Sequence, residues 1–82
     1  MALLVIIDSM NGSDTEPDVY DVDNVEDATL TLTKDLLRTS TEEYAVEVLF
    51  KWLRAPWQRE GGFTVTIPEN NGRIITSYSY LP

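Results

Sequence analysis

Residues 23–37 read Asp23-Asn24-Val25-Glu26-Asp27-Ala28-Thr29-Leu30-Thr31-Leu32-Thr33-Lys34-Asp35-Leu36-Leu37, and the fold turns on whether they form a helix or a strand. Thr29 to Thr33 alternate strictly between threonine and leucine, which is the period of a half-buried strand. Against this stands a helix start at Asp23 and Asn24. Glu26 follows Asp23 by three residues, the spacing of a capping box, and the acids of the first turn suit the positive end of a helix dipole. Val25, Ala28 or Thr29, Leu32 and Leu36 then share one face at the helical period. Start signal and period together outweigh five alternating residues and predict a helix.

Reading toward the C-terminus, Ser40 and Glu43 repeat the capping-box spacing, and a second helix is expected from about Thr41 to Arg54. Its polar stripe is Glu43, Glu47, Lys51 and Arg54. Tyr44, Ala45, Val46, Val48, Leu49, Phe50, Trp52 and Leu53 are apolar or aromatic, a wider arc than one core-facing helix needs. Either this helix sits in the middle of the fold or part of it meets a partner. Pro56 ends it. Residues 55–62, with Gly61-Gly62, form a connector. Phe63 to Ile67 alternate cleanly as a strand, Pro68 to Gly72 make a turn, and Arg73 to Tyr80 form the antiparallel partner, with Ile74, Thr76, Tyr78 and Tyr80 on one face.

Reading toward the N-terminus, Val19 to Val22 suit a short strand pairing with Leu3 to Ile7, an apolar run rich in β-branched residues. Ser9 to Pro17 between them look like a turn-rich loop, and Asn11-Gly12-Ser13, although it matches a glycosylation sequon, is read as part of that loop. The expected fold is α+β: one domain over 1–82, elements in the order β-β-α-α-β-β, and two helices packed on one face of an antiparallel sheet.

Composition narrows the chemistry. The 82 residues include no cysteine and no histidine. Disulfides, thiol catalysis, thiolate metal sites and any triad that uses histidine are thereby excluded. Carboxylate, lysine or tyrosine chemistry remains. Asp21-Val22-Asp23-Asn24 opens like a calcium-binding EF-hand loop, but the glycine required at the sixth position is Glu26, so no metal or other cofactor is expected. Carboxylate pairs that could serve a glycosidase occur in any acidic chain, and a domain this small has little room for a deep substrate cleft; no enzyme activity is expected. Lys51, Trp52, Arg54, Trp57 and Arg59 form a basic and aromatic cluster, yet the acid surplus elsewhere argues against direct binding of nucleic acid or an anionic membrane.

That surplus is unevenly placed. The net charge of −8 falls entirely within residues 1–33, which carry Asp8, Asp14, Glu16, Asp18, Asp21, Asp23, Glu26 and Asp27 and no basic residue. The remainder is balanced. Such a segment favours a basic partner. No stretch carries a motif that maps onto a known family. In size and charge alone the chain resembles small inhibitors of other proteins, such as phage-encoded blockers of host defence (anti-CRISPR proteins among them) and bacterial immunity proteins. The expectation is therefore a binding inhibitor. Asp14, Glu16, Asp18, Asp21, Asp23, Glu26 and Asp27 would engage a basic, nucleic-acid-handling protein by imitating phosphates. The alternative is an assembly subunit, with Phe50, Trp57 and Arg59 at a docking or homodimer surface. Leu3 to Ile7 is too short and too soon interrupted to be a leader or a membrane span, and a cytoplasmic location is expected.

Overall fold

A computed structural model describes residues 1–55, 61–69 and 71–82. The elements are β1 (Ala2–Met10), β2 (Ser13–Asp14), β3 (Asp18–Val22), α1 (Val25–Thr39), α2 (Glu42–Arg54), β4 (Phe63–Glu69) and β5 (Ile74–Leu81). The sheet is antiparallel throughout. β1 and β5 lie side by side at its centre, β4 flanks β5, and β2 and β3 both pair with β1 on its other side. The fold is thus α+β, with one short strand more than the sequence predicts.

That extra strand arises from a hairpin hidden in the expected loop. β1 runs on past Ile7 because Asp8, Ser9 and Met10 find partners in Thr76, Ile75 and Ile74 of β5. The chain then reverses over Asn11-Gly12, both with positive φ (52° and 82°), and Met10 pairs with Ser13. A two-residue Asn-Gly connection is the preferred tight hairpin because its twist matches that of the flanking strands. After Asp14 the ladder breaks, with Thr15 donating both its N–H (2.7 Å) and its hydroxyl (2.9 Å) to the Asp8 carbonyl, and resumes at Asp18.

Residues 25–39 are helical, and the threonines show how the alternation is overridden. Thr29 and Thr33 donate their hydroxyls to the carbonyls of Val25 (2.8 Å) and Thr29 (2.7 Å), so neither needs a solvent-facing strand position. Ala28, Leu32 and Leu36 are buried at the helical spacing, whereas Leu30 faces out. Both helix starts lie one residue later than the capping-box spacing suggests. Asn24, not Asp23, accepts from the Asp27 N–H (2.9 Å), and the Asp27 carboxylate accepts from the Asp23 N–H (2.9 Å). Thr41, not Ser40, caps α2 by accepting from the Tyr44 N–H (3.2 Å). Ser40 instead ends α1, its N–H donating to the Leu36 carbonyl (2.9 Å).

The core lies between one sheet face and the helix pair. Ala2, Leu4 and Ile6 of β1, Val22 of β3, Val65 and Ile67 of β4 and Tyr78 of β5 meet Ala28, Leu32 and Leu36 of α1 and Ala45, Val48 and Trp52 of α2. The register places these strand residues on one face: Ile6 lies opposite Tyr78, Tyr78 opposite Val65, and Ala2 opposite Val22. Trp52 is the keystone. It is fully buried, donates its indole N–H to Thr29 Oγ1 (2.8 Å), and meets Phe63 edge-on with ring centroids 4.7 Å apart.

Candidate functional site

The acidic segment is ordered, and it forms an edge rather than a face. β2 and β3 extend in line along β1, so residues 13–22 make one interrupted edge strand. Asp14 stands opposite Ser9 and Asp21 opposite Leu3, six residues along β1, or roughly 20 Å at strand spacing. Asp18 pairs with Ile6 and so shares the helix-facing side. Asp21 pairs with Leu3 and takes the open side. Glu16 is exposed between the two strands, Asp23 follows β3, and Glu26 and Asp27 fall in the first turn of α1. Of the seven, Asp27 has a local task, since it caps the backbone at Asp23. Among the described residues the ion pair is Arg38 with Asp35 (2.8 Å), so none of the seven is neutralised by a described base.

The spacing tempers the idea of phosphate imitation. Asp14, Glu16, Asp18 and Asp21 occupy that length at about one charge per 7 Å, half the linear density of a single DNA strand at about one per 3.4 Å. The edge can attract and orient a basic surface, but it does not copy a nucleic-acid backbone charge for charge.

The middle of this edge, at Asp18 and Tyr20, borders a cleft of about 470 Å³ between the sheet and the α1–α2 connection. Its carboxylates are Asp8, Asp18, Asp35 and Glu69, and Arg38 is its cation. Three tyrosines and a threonine connect them. Tyr20 donates to Asp35 (3.2 Å), the Tyr44 and Tyr78 hydroxyls are 3.0 Å apart, and buried Thr76 donates to Asp8 (2.8 Å). Arg38 donates to the same Asp35 oxygen as Tyr20. Burial first, then the hydrogen bond to Tyr44, pushes the Tyr78 hydroxyl far above the ordinary tyrosine range, with the Asp8 and Glu69 charges adding to the shift. Tyr20 is raised by burial and by Asp35 beside it. Both phenols therefore stay protonated at neutral pH and are donors, not bases. The cleft is a carboxylate-rich mouth with aromatic walls, suited to receiving a cationic side chain. No group of three or more potential metal ligands clusters among the described residues.

Sequence reasoning singled out only Asp18 of this cleft. Asp8 belongs to the acidic segment noted for its charge, Asp35 and Glu69 carry no such signal, and no local motif draws Tyr20, Tyr44 and Tyr78 together. Of the alternative surface, Phe50 is 59% exposed on α2, and Trp57 and Arg59 lie outside the described residues. No helix among the described residues is long and apolar enough to cross a membrane. Comparison with protein-family models, with curated proteins and with solved structures finds no match.

Proposed function

We propose that this protein is a binding inhibitor that docks its acidic edge on a basic, nucleic-acid-handling protein in the cytoplasm. The observation that carries the reading is the ordered edge strand, whose carboxylates form no ion pair with a described base and which borders the carboxylate-lined cleft at Asp18. The edge supplies long-range attraction, which speeds encounter with a basic surface and weakens as salt screens it. The cleft supplies short-range fit. An arginine or lysine of the partner would enter beside Asp18 and Asp8, with Tyr20 and Tyr44 available to its flat or alkyl faces. In size and charge this is the equipment of a phage-encoded blocker of host defence.

The test is capture from a host lysate by the wild-type chain and by the triple variant Asp18→Asn, Asp21→Asn, Asp23→Asn, at low and at high salt. The wild type is expected to retain a nucleic-acid-binding protein at low salt, to release it at high salt, and to release it when DNA or RNA competes. The variant is expected to fold normally and retain nothing. Equal capture by both chains at physiological salt overturns the reading.

A further inference from the structure

The apolar arc of α2 is wider than the core uses, and its surplus is organised. Ala45, Val48 and Trp52 point into the core, while Val46 (61% exposed) and Phe50 (59%) point out, with Leu49 half-buried between them. Positions 46, 49 and 50 share a face at the spacing of a helix-pairing stripe. Leu30 and Leu37 of α1 are exposed as well. The bond from Trp52 to Thr29 sets the two helices antiparallel, with Leu37 level with the Val46 end of α2 and Leu30 level with the Phe50 end.

A row of charges borders the stripe. Glu43, Glu47, Lys51 and Arg54 follow one another at intervals of four, four and three, on one flank of the helix. Phe50, Lys51 and Arg54 border the groove beside Thr64 and Thr66, so the C-terminal half of this flank looks toward β4. The Arg54 guanidinium lies over the Phe50 ring, 5.0 Å from its centroid. Acids occupy the N-terminal half of the row and bases the C-terminal half.

We infer that α2 is the dimerisation helix of this protein, and that two copies pair through it in antiparallel fashion about a twofold axis near Leu49. In an antiparallel pair related by such an axis, a flank faces the same flank of the partner in reverse order. Glu43 then meets the partner's Arg54 and Glu47 the partner's Lys51, and each contact occurs twice. A parallel pair about a twofold axis along the helices sets this flank against the opposite flank of the partner, which carries no such row. The row is therefore complementary to itself in one orientation only, which selects a second copy over an unrelated partner.

The placement of the remaining charge agrees. Asp14, Glu16, Asp18, Asp21 and Asp23 of the acidic segment lie along or just beyond β2 and β3, while α2 packs over β4 at the opposite edge; Asp8 on β1 and Glu26 and Asp27 at the start of α1 lie nearer to it. Three strand spacings, about 14 Å, separate β3 from β4, against a screening length of about 8 Å at physiological salt. Pairing through α2 thus brings together the neutral parts of two strongly acidic chains, and it leaves both acidic edges free.

The experiment is sedimentation of the full chain over a range of concentrations, with two charge variants whose folding is checked by circular dichroism. One variant, Lys51→Glu with Arg54→Glu, has an all-acidic row. The other, Glu43→Lys with Glu47→Lys, has an all-basic row. The wild type is expected to double in mass as concentration rises, each variant alone to remain monomeric, and an equal mixture of the two to recover the doubled mass. Should either variant fail to fold, Leu49→Cys in the otherwise cysteine-free chain provides the second measurement, with near-complete disulfide-linked dimer expected on mild oxidation. A wild type that stays monomeric at every concentration, or a mixture that associates no better than its components, overturns the inference.

Discussion

Breaking the bond between Trp52 and Thr29 would test the helix pairing on which the core and the α2 surface both depend. Trp52→Phe removes the indole donor and part of the largest fully buried side chain. A net hydrogen bond is worth ~1 kcal/mol, and the lost ring volume adds a similar cavity cost, so the variant should lose about 2 kcal/mol. Thr29→Val keeps the shape but leaves the indole N–H buried without a partner, at a cost of about 1–3 kcal/mol. In the double variant neither group remains to be stranded. The two losses should therefore fall short of adding, with a coupling of ~1 kcal/mol or more. Urea unfolding followed by helical circular dichroism measures all four corners of the cycle. A domain of this length has a total stability of only about 4–12 kcal/mol, so each step is large enough to resolve. Additivity within ~0.5 kcal/mol would refute both the bond and the helix register drawn from it.

Three further outcomes follow from the local geometry. Asn24→Ala and Thr41→Ala should each cost about 1 kcal/mol in chemical denaturation, while Asp23→Ala and Ser40→Ala cost less, because the former pair are the caps. Gly62→Ala should destabilise severely and Gly61→Ala hardly at all in thermal melts; Gly62 has φ +81° and a Cβ there would collide with the Tyr80 carbonyl, whereas nothing lies near a Cβ on Gly61. Tyr78 keeps its proton in the folded chain at pH values where the unfolded chain releases it, above about 10, so stability should fall as pH rises through that range. Tyr78→Phe has no proton to lose, and its melting temperature should decline less than that of the wild type between about pH 8 and about pH 11.

The long elements were legible because their signals are local. The Leu32–Leu36 period, the Phe63–Ile67 alternation and the face shared by Thr76 and Tyr78 each lie within a few residues, and each is present in the structure. The capping residues were displaced by one because several candidates stand together: Asp23 beside Asn24, and Ser40 beside Thr41. Backbone geometry alone decides between them. The β1–β2 hairpin was missed although Asn11-Gly12 announces it, because Asp8 and Ser9 look unlike strand residues until Thr76 and Ile75 are opposite them. The cleft was invisible for the same reason on a larger scale. Asp8 and Thr76 are 68 residues apart, Tyr44 and Tyr78 are 34 apart, and no spacing rule connects them. The wide apolar arc of α2 was legible as a surplus; which part of it turned outward required the sheet to be in place.

The acidic edge has a second consequence, for solubility. An open sheet exposes two rows of unpaired backbone groups, and each row is a template on which another chain could continue the sheet into a fibre. Here each margin carries a proline, and one of them carries charge as well. Along β4, Pro68 lacks the N–H that a continuing ladder would need. Along β2 and β3, Pro17 interrupts the margin between the two strands, and the strands themselves are guarded by charge: a second chain approaching that margin meets Asp14, Asp18 and Asp21 with carboxylates of its own. Such a guard holds only while salt leaves it unscreened. At about 1 M salt the screening length falls to about 3 Å and the repulsion is largely gone, while the backbone groups it shielded remain. The margin proposed for recognition is then the one along which another chain could most readily continue the sheet.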